Sequence, residues 1–458
     1  MTALNDGRVL VAGGLDANST ARGECEIFNP ATATWTLTDP LKVPRTLHSM
    51  VKLNDGRVAV FGGQIGHIMD VSPVQTTKVE IFDPTTNTWS DGGELQMTRQ
   101  HQTASLLPDG RVLIAAGLSG SSPTEQCEIY DPASATSALI APLHLARYEH
   151  QAVALSDGRV MVSGGRNGGW NGSYFNETEI YDPTTNAWTV VGDMYQSRMR
   201  AVLAQFGDGS ILSAAGRNTP TSAAPGSELF DLTTNSWSLT DPMKLPCTWM
   251  GPVLLPDDRY LVTGGFYDAS WTSSSTDVTC TATTEWYDKK NACWYYAPQM
   301  EQERGRHQAV FVHQTVNDEL PTDLILVAGG ITGNNTYTNT CEYLDATPQA
   351  LLTYKAMPAN HPQSGESGVS VAAGATSGAV VQYTDGNAVI HFTLPSDGSA
   401  NVDLISTDGR LVHSYNQTSI PAGTYDLNFG SSSLPSGAYI ADVRTASWQG
   451  RLKVLIMH

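Results

Sequence analysis

The chain has 458 residues, 45 acidic against 26 basic side chains, and a net charge of −19. That balance excludes a nucleic-acid binder, because phosphate recognition needs a basic face, and it repels acidic membrane surfaces; no apolar stretch is long enough to cross a bilayer as a helix. Gly at 42 residues, with 16% charged and 40% hydrophobic content, fits many short strands and tight turns and enough apolar material for one large folded unit plus a small one.

From the N-terminus one pattern recurs. Asp6-Gly7-Arg8 predicts a hairpin turn, and the strand after it ends in Gly13-Gly14. The same turn recurs at Asp55-Gly56-Arg57, Asp109-Gly110-Arg111, Asp157-Gly158-Arg159, Asp208-Gly209-Ser210 and Asp257-Asp258-Arg259. Matching strand ends fall at Gly62-Gly63, Ala116-Gly117, Gly164-Gly165, Ala215-Gly216, Gly264-Gly265 and Gly329-Gly330, in steps of 48 to 65 residues. A Glu-to-Trp segment follows in Glu26–Trp35, Glu80–Trp89, Glu179–Trp188, Glu228–Trp237 and Glu285–Trp294, with an Asx-type turn such as Asp83-Pro-Thr-Thr-Asn87 inside it; the third and seventh copies carry Ser137 and Leu351 in place of Trp. Each next unit opens ten residues before its Asp-Gly turn with Arg45, Arg99, Arg147 or Arg198; Cys247 takes that place in the sixth unit and Arg304 opens the seventh. Every unit therefore reads as four antiparallel strands, and a period near 50 residues belongs to propellers or solenoids.

These residues carry a resemblance to the kelch repeat over residues 1–357, seven-bladed like the galactose-oxidase type of propeller. The resemblance implies blades stacked radially, with Glu and Trp packed between them and the glycine doublet admitting a neighbouring backbone. Blade one begins at Met1-Thr2-Ala3-Leu4 and lacks most of its first strand, so the expected start lies upstream and carries that strand and a secretion signal. Six cysteines make no disulfide framework; Cys25, Cys127 and Cys341 occupy one repeated slot as small buried residues, and a bridge between Cys280 and Cys293 is left open.

Residues 358–379, with Pro358, Pro362 and a Gly/Ser/Ala-rich run, read as a linker. Residues 380–458 alternate over short strands, as in Val402/Leu404, Tyr425/Leu427/Phe429 and Leu452/Val454/Ile456, and predict a small immunoglobulin-like β-sandwich. Asn387–Leu394, Asp408-Gly409-Arg410, Leu434-Pro-Ser-Gly-Ala-Tyr439 and Gly450-Arg-Leu-Lys-Val-Leu455 make this tail similar to the C-terminal sorting domain of the type IX secretion system of Bacteroidota. That resemblance implies a protein secreted or held at the outer-membrane surface, with the secretion machinery as a partner. The fold class expected is thus all-β, a seven-bladed propeller plus a small sandwich, and the protein a monomer.

Function then falls to the propeller's two faces. Turns after strands one and three are uniform; links after strands two and four vary, and variable loops on a rigid scaffold are where binding resides. The links of blades four and six hold Trp170, Tyr174 and Phe175, and Phe266, Tyr267 and Trp271, rings on which a glycan or a peptide can stack. A second candidate is the channel mouth, where Arg45, Arg99, Arg147, Arg198 and Arg304 would converge, with His48, His150 and His307 three residues further in and His101 one position off, to bind a carboxylate, a phosphate or a metal. Copper-radical oxidases share this propeller type and use an adjacent Tyr-His pair, which this chain lacks, the nearest being Tyr148-Glu149-His150. No cofactor, catalytic residue or resident metal is expected: the reading is a binding protein for a glycan or a protein ligand, its alternative a carbohydrate-active enzyme (oxidase, lyase or epimerase) working at the mouth.

Overall fold

The computed structural model describes every residue except 69, 71–73, 169–171, 220–221, 225, 268–278, 314–321, 333–335, 347–353, 357–378, 385–386, 395–397, 407–410, 421–422, 430–436, 446–448 and 457–458. Two compact units result, Met1–Pro362 and Gln363–His458. Both are all-β, and no helix occurs among the described residues. The expected linker 358–379 lies almost wholly outside the described residues.

Seven four-stranded antiparallel sheets follow one another through the described residues of the first unit, each with its strands in chain order. Blade two is typical: Ser49–Lys52, Val58–Phe61, Lys78–Asp83 and Thr88–Glu94. Its second strand is buried at all four positions, as a strand sandwiched between two other sheets must be. The Asp-Gly turns form as their chemistry dictates, with Asp55 Oδ1 accepting from Arg57 N at 3.0 Å and Gly56 at φ 89°. In blade one the first strand is only Thr2–Ala3, paired to Val9–Leu10.

Adjacent sheets share one apolar cluster at each junction. Leu10 and Ile27 of blade one pack with Val58, Val60, Phe82 and Trp89 of blade two, and equivalent clusters join each later pair. The ring closes where Val9, Phe28 and Trp35 of blade one meet Val312, Leu324, Leu326 and Tyr343 of blade seven. Each buried large side chain contributes about 1.5–3 kcal/mol, so a junction holds because many such groups leave water together. Two outer-strand Trp residues also reach back one blade: Trp237 Nε1 donates to Thr178 Oγ1 at 3.1 Å, and Trp294 Nε1 to Ser227 Oγ at 2.9 Å. The second glycine of the doublet stitches the next blade on, Gly63 N donating to Arg99 O at 2.7 Å. Only glycine suits that place, because φ is 103° and a Cβ would lie 2.7 Å from Thr46 O.

The second unit has seven described strands in two sheets. Ala379–Thr384, Asn387–Leu394 and Gly423–Phe429 form one; Leu411–Ile420, Gly398–Ser406, Gly437–Thr445 and Gln449–Ile456, in that order, form the other. Ala400, Val402, Leu404, Ala441 and Val443 are buried at every second position, the alternation of a sheet with one covered face. Asp408-Gly409-Arg410 and Leu434–Ser436 lie outside the described residues.

Candidate functional site

The arginines expected at the channel mouth do not open onto it. Arg45, Arg99, Arg147, Arg198 and Arg304 are at most 1% exposed, and each turns into its own blade. Their guanidinium groups pair with Glu80 (2.6 Å), Glu128 (2.9 Å), Glu179 (2.8 Å), Glu228 (2.9 Å) and Glu342 (2.5 Å) on the third strand, and they also donate to the carbonyls at the glycine doublets, as Arg45 Nη1 does to Gly62 O at 2.9 Å. The same carboxylates accept backbone N–H groups of the incoming chain, Lys42 and Val43 donating to Glu80. The acids needed for these pairs stand 29 to 38 residues downstream, and they take the arginines away from solvent.

The histidines behave likewise. His150 Nε2 meets Thr103 Oγ1 at 2.9 Å and His307 Nε2 meets Thr263 Oγ1 at 2.7 Å, both rings being buried. Burial first, and then the neighbouring Arg45, Arg147 or Arg304, lowers His48, His150 and His307 to about 3, so all three are neutral at physiological pH.

What does face the axis is the residue two places after each opening position: Leu47, His101, Glu149, Arg200, Trp249 and Arg306. All six adopt left-handed backbone, with φ between 51° and 57°. That conformation costs an L-residue about 1 kcal/mol or more, and six copies in register mean the ring imposes it. Neighbours are joined through their backbones, His101 N to Leu47 O at 3.2 Å, Arg200 N to Glu149 O at 2.8 Å and Arg306 N to Trp249 O at 2.9 Å. A second belt comes from the residue after each glycine doublet, through the bridges Tyr148–Arg166, Met199–Arg217 and Thr248–Phe266.

On these belts a cationic and aromatic cluster assembles. Glu149, 5% exposed, accepts from Arg166 Nε at 2.9 Å on one oxygen and from Arg200 on the other, with His101 Nε2 at 3.9 Å. Arg166 lies over the Tyr148 ring at 4.7 Å; Arg200 and Arg306 lie over the Trp249 ring at 3.4 and 4.3 Å. Burial, then Arg306, pushes the Arg200 guanidinium well down from its usual range, and burial brings Arg306 to about 10. His101 is held well below its usual value by burial and then by the charges of Arg200, Arg306 and Arg166. Cations are therefore crowded here, and an anion is what the place favours.

The loop aromatics divide. Phe266 is buried against Cys280 and Ile331 and meets the Trp249 ring edge-on at 5.4 Å; Phe175 receives the Arg147 guanidinium at 5.4 Å. Tyr174 bridges to Arg166 through its backbone, and its buried hydroxyl finds no hydrogen-bond partner. Tyr267 is 42% exposed. Trp170 and Trp271 lie outside the described residues. Cys280 and Cys293 are both free thiols.

A copper centre does not fit these residues. His101 and Glu149 are flanked by three guanidinium groups that repel a metal cation, and among the described residues no group of three or more His, Cys, Asp or Glu could hold one.

Residues 1–208 match the family model described as the KLHDC2/KLHL20/DRC7 Kelch-repeats domain. The chain is 37% identical over 117 residues to the Rab9 effector protein with kelch motifs of Homo sapiens, covering 24% of this chain and 28% of that protein, so it spans under a third of that relative's length. Among solved structures it is similar to YjhT (TM-score 0.52, 14% identity, 69% of this chain and 98% of that one) and to a fungal alcohol oxidase of the AA5 family in complex with copper (TM-score 0.60, 15% identity, 99% and 96%). At those identities the likeness is one of fold.

Proposed function

We propose that this kelch-repeat propeller is a non-catalytic binding protein whose ligand seat is the channel mouth on the variable face, and whose ligand is a protein segment presenting an anionic group. The observation that carries this reading is the set of Arg166, Arg200 and Arg306 placed over the Tyr148 and Trp249 rings in a chain of net charge −19. A guanidinium held over an aromatic ring keeps its charge near that ring, and a carboxylate or phosphate can pair with that charge. The human relative is a Rab9 effector, which supports a protein partner over a small molecule. A glycan is the second ligand class, supported by the exposed Tyr267 on the blade-six link.

The C-terminal unit serves export in this reading, as a type IX sorting domain that delivers the propeller outside the cell of a Bacteroidota bacterium. Its seven strands in two sheets and the Gly437-Ala-Tyr439 and Gly450–Leu455 segments on adjacent strands support that assignment.

Calorimetric titration of the full chain against acidic peptides and their amidated neutral counterparts tests the seat. Binding is expected for the acidic set alone, and the Arg200→Gln, Arg306→Gln double variant weakens it at least tenfold, since each charge-assisted hydrogen bond contributes about 1.5–3 kcal/mol. Affinity unchanged in the double variant would remove the mouth as the seat. Turnover of a sugar or alcohol by the same preparation would instead favour the carbohydrate-active enzyme.

A further inference from the structure

We infer that Glu149 is the mouth's own resident carboxylate, an autoinhibitory contact that a ligand carboxylate must displace. The inference rests on the mouth being the ligand seat and concerns how that seat is occupied and regulated.

Glu149 is the sole acid among the six axial positions, the other five being Leu47, His101, Arg200, Trp249 and Arg306. Its two oxygens are divided between two guanidinium groups from different blades, Arg166 of blade four and Arg200 of blade five. A carboxylate on an incoming chain can reproduce that bridge one for one, so the seat is already shaped for this group and already filled by it.

Two roles are open to such a residue, and the geometry separates them. If Glu149 positioned the arginines, they would need it to hold their orientation. They do not: Arg200 is pressed on the Trp249 ring at 3.4 Å and Arg166 on the Tyr148 ring at 4.7 Å, and the Tyr148 hydroxyl is itself anchored to Gly168 O at 2.7 Å. The backbone of Glu149 is secured separately by accepting from Arg200 N at 2.8 Å, so its side chain can swing out while the ring stays closed. Release of Glu149 therefore leaves two oriented guanidinium groups rather than a collapsed mouth. Because the exchange replaces one carboxylate by another, a single acidic side chain gains little, whereas a segment that also contacts the variable links gains the whole difference. Selectivity for an extended acidic segment over a free carboxylic acid follows.

The test uses the full chain and two capped probe peptides, hexaglutamate and hexaglutamine, titrated at physiological salt. Glu149→Gln keeps the shape and removes the competing charge; it is expected to bind hexaglutamate at least tenfold more tightly than the wild type, and neither protein binds hexaglutamine. Unchanged or weaker binding of hexaglutamate by Glu149→Gln overturns the competitor role, and if Arg200→Gln still weakens binding, the mouth remains the seat. If neither wild type nor Glu149→Gln takes hexaglutamate, this inference and the seat both fall. Should Glu149→Gln fold poorly by its melting curve, Glu149→Asp shortens the reach to the arginines and is expected to tighten binding in the same direction, and its failure to do so counts equally against the proposal.

Discussion

Arg147 is enclosed by the carboxylates of Glu177 and Glu179, at 2.9 and 2.8 Å, and by the carbonyl oxygens of Gly164 and Glu177. A charge so placed is neutralised inside the blade, and removing it leaves an acid buried without its counter-ion. Arg147→Met is expected to cost about 3–5 kcal/mol in a denaturant titration, while the Arg147→Met, Glu179→Leu double variant recovers most of that; equal losses in both would mean that packing, not charge, sets the cost. The sequence pattern singles out Arg147 and His150 and is silent on Glu149 between them. The reason is physical: Glu149 reaches the axis because its backbone is left-handed at φ 57°, a conformation that nothing in the residue type announces, and Leu47 and Trp249 adopt it too. Tyr174 and Phe266 are legible as loop aromatics, but that the Phe266 ring and the Tyr174 hydroxyl are buried depends on residues far off in the chain, such as Trp249 against Phe266.

Blade six is the element in which the repeat departs furthest from its own rule. Glu285 accepts from Lys244 N and Leu245 N at 2.8 and 2.7 Å, as its counterparts do, but Cys247 stands where the arginine would be and its thiol instead donates to Leu245 O at 3.2 Å. Burial without that guanidinium raises the Glu285 carboxyl to about 7 from an ordinary value of 4.5. A raised acid binds its proton more tightly in the folded state, so this group's contribution to stability is fully present below pH 4.5 and is lost as pH rises through about 7. Melting curves at pH 5 and pH 8 should therefore differ in the wild type, and Glu285→Gln should narrow that difference by stabilising the protein at pH 8; the same pH dependence in both proteins would place its origin elsewhere. The substitution of Cys247 for Arg is plain in the sequence, but its consequence depends on how completely the fold excludes water from Glu285.

At the scale of the whole molecule, the export reading gives a prediction that the propeller alone does not. In a host with type IX secretion and a signal peptide supplied, the full chain should reach the medium or cell surface, and a chain ending at Pro362 should stay in the periplasm; export of both would detach the tail from sorting. The repeat itself, the four strands per blade, the hairpin turns and the division into a uniform and a variable face are written in residues close together in the chain, because turn chemistry and strand alternation act over a few residues. The sequence by itself therefore determined the architecture and which face to search. Only the tertiary structure decided that the recurring arginines turn inward to acids about 30 residues away, and that Glu149, Arg166, Arg200, Trp249 and Arg306 meet at one place. Those residues come from four blades, and they converge because the seven sheets close into a ring, a long-range event that no local pattern encodes.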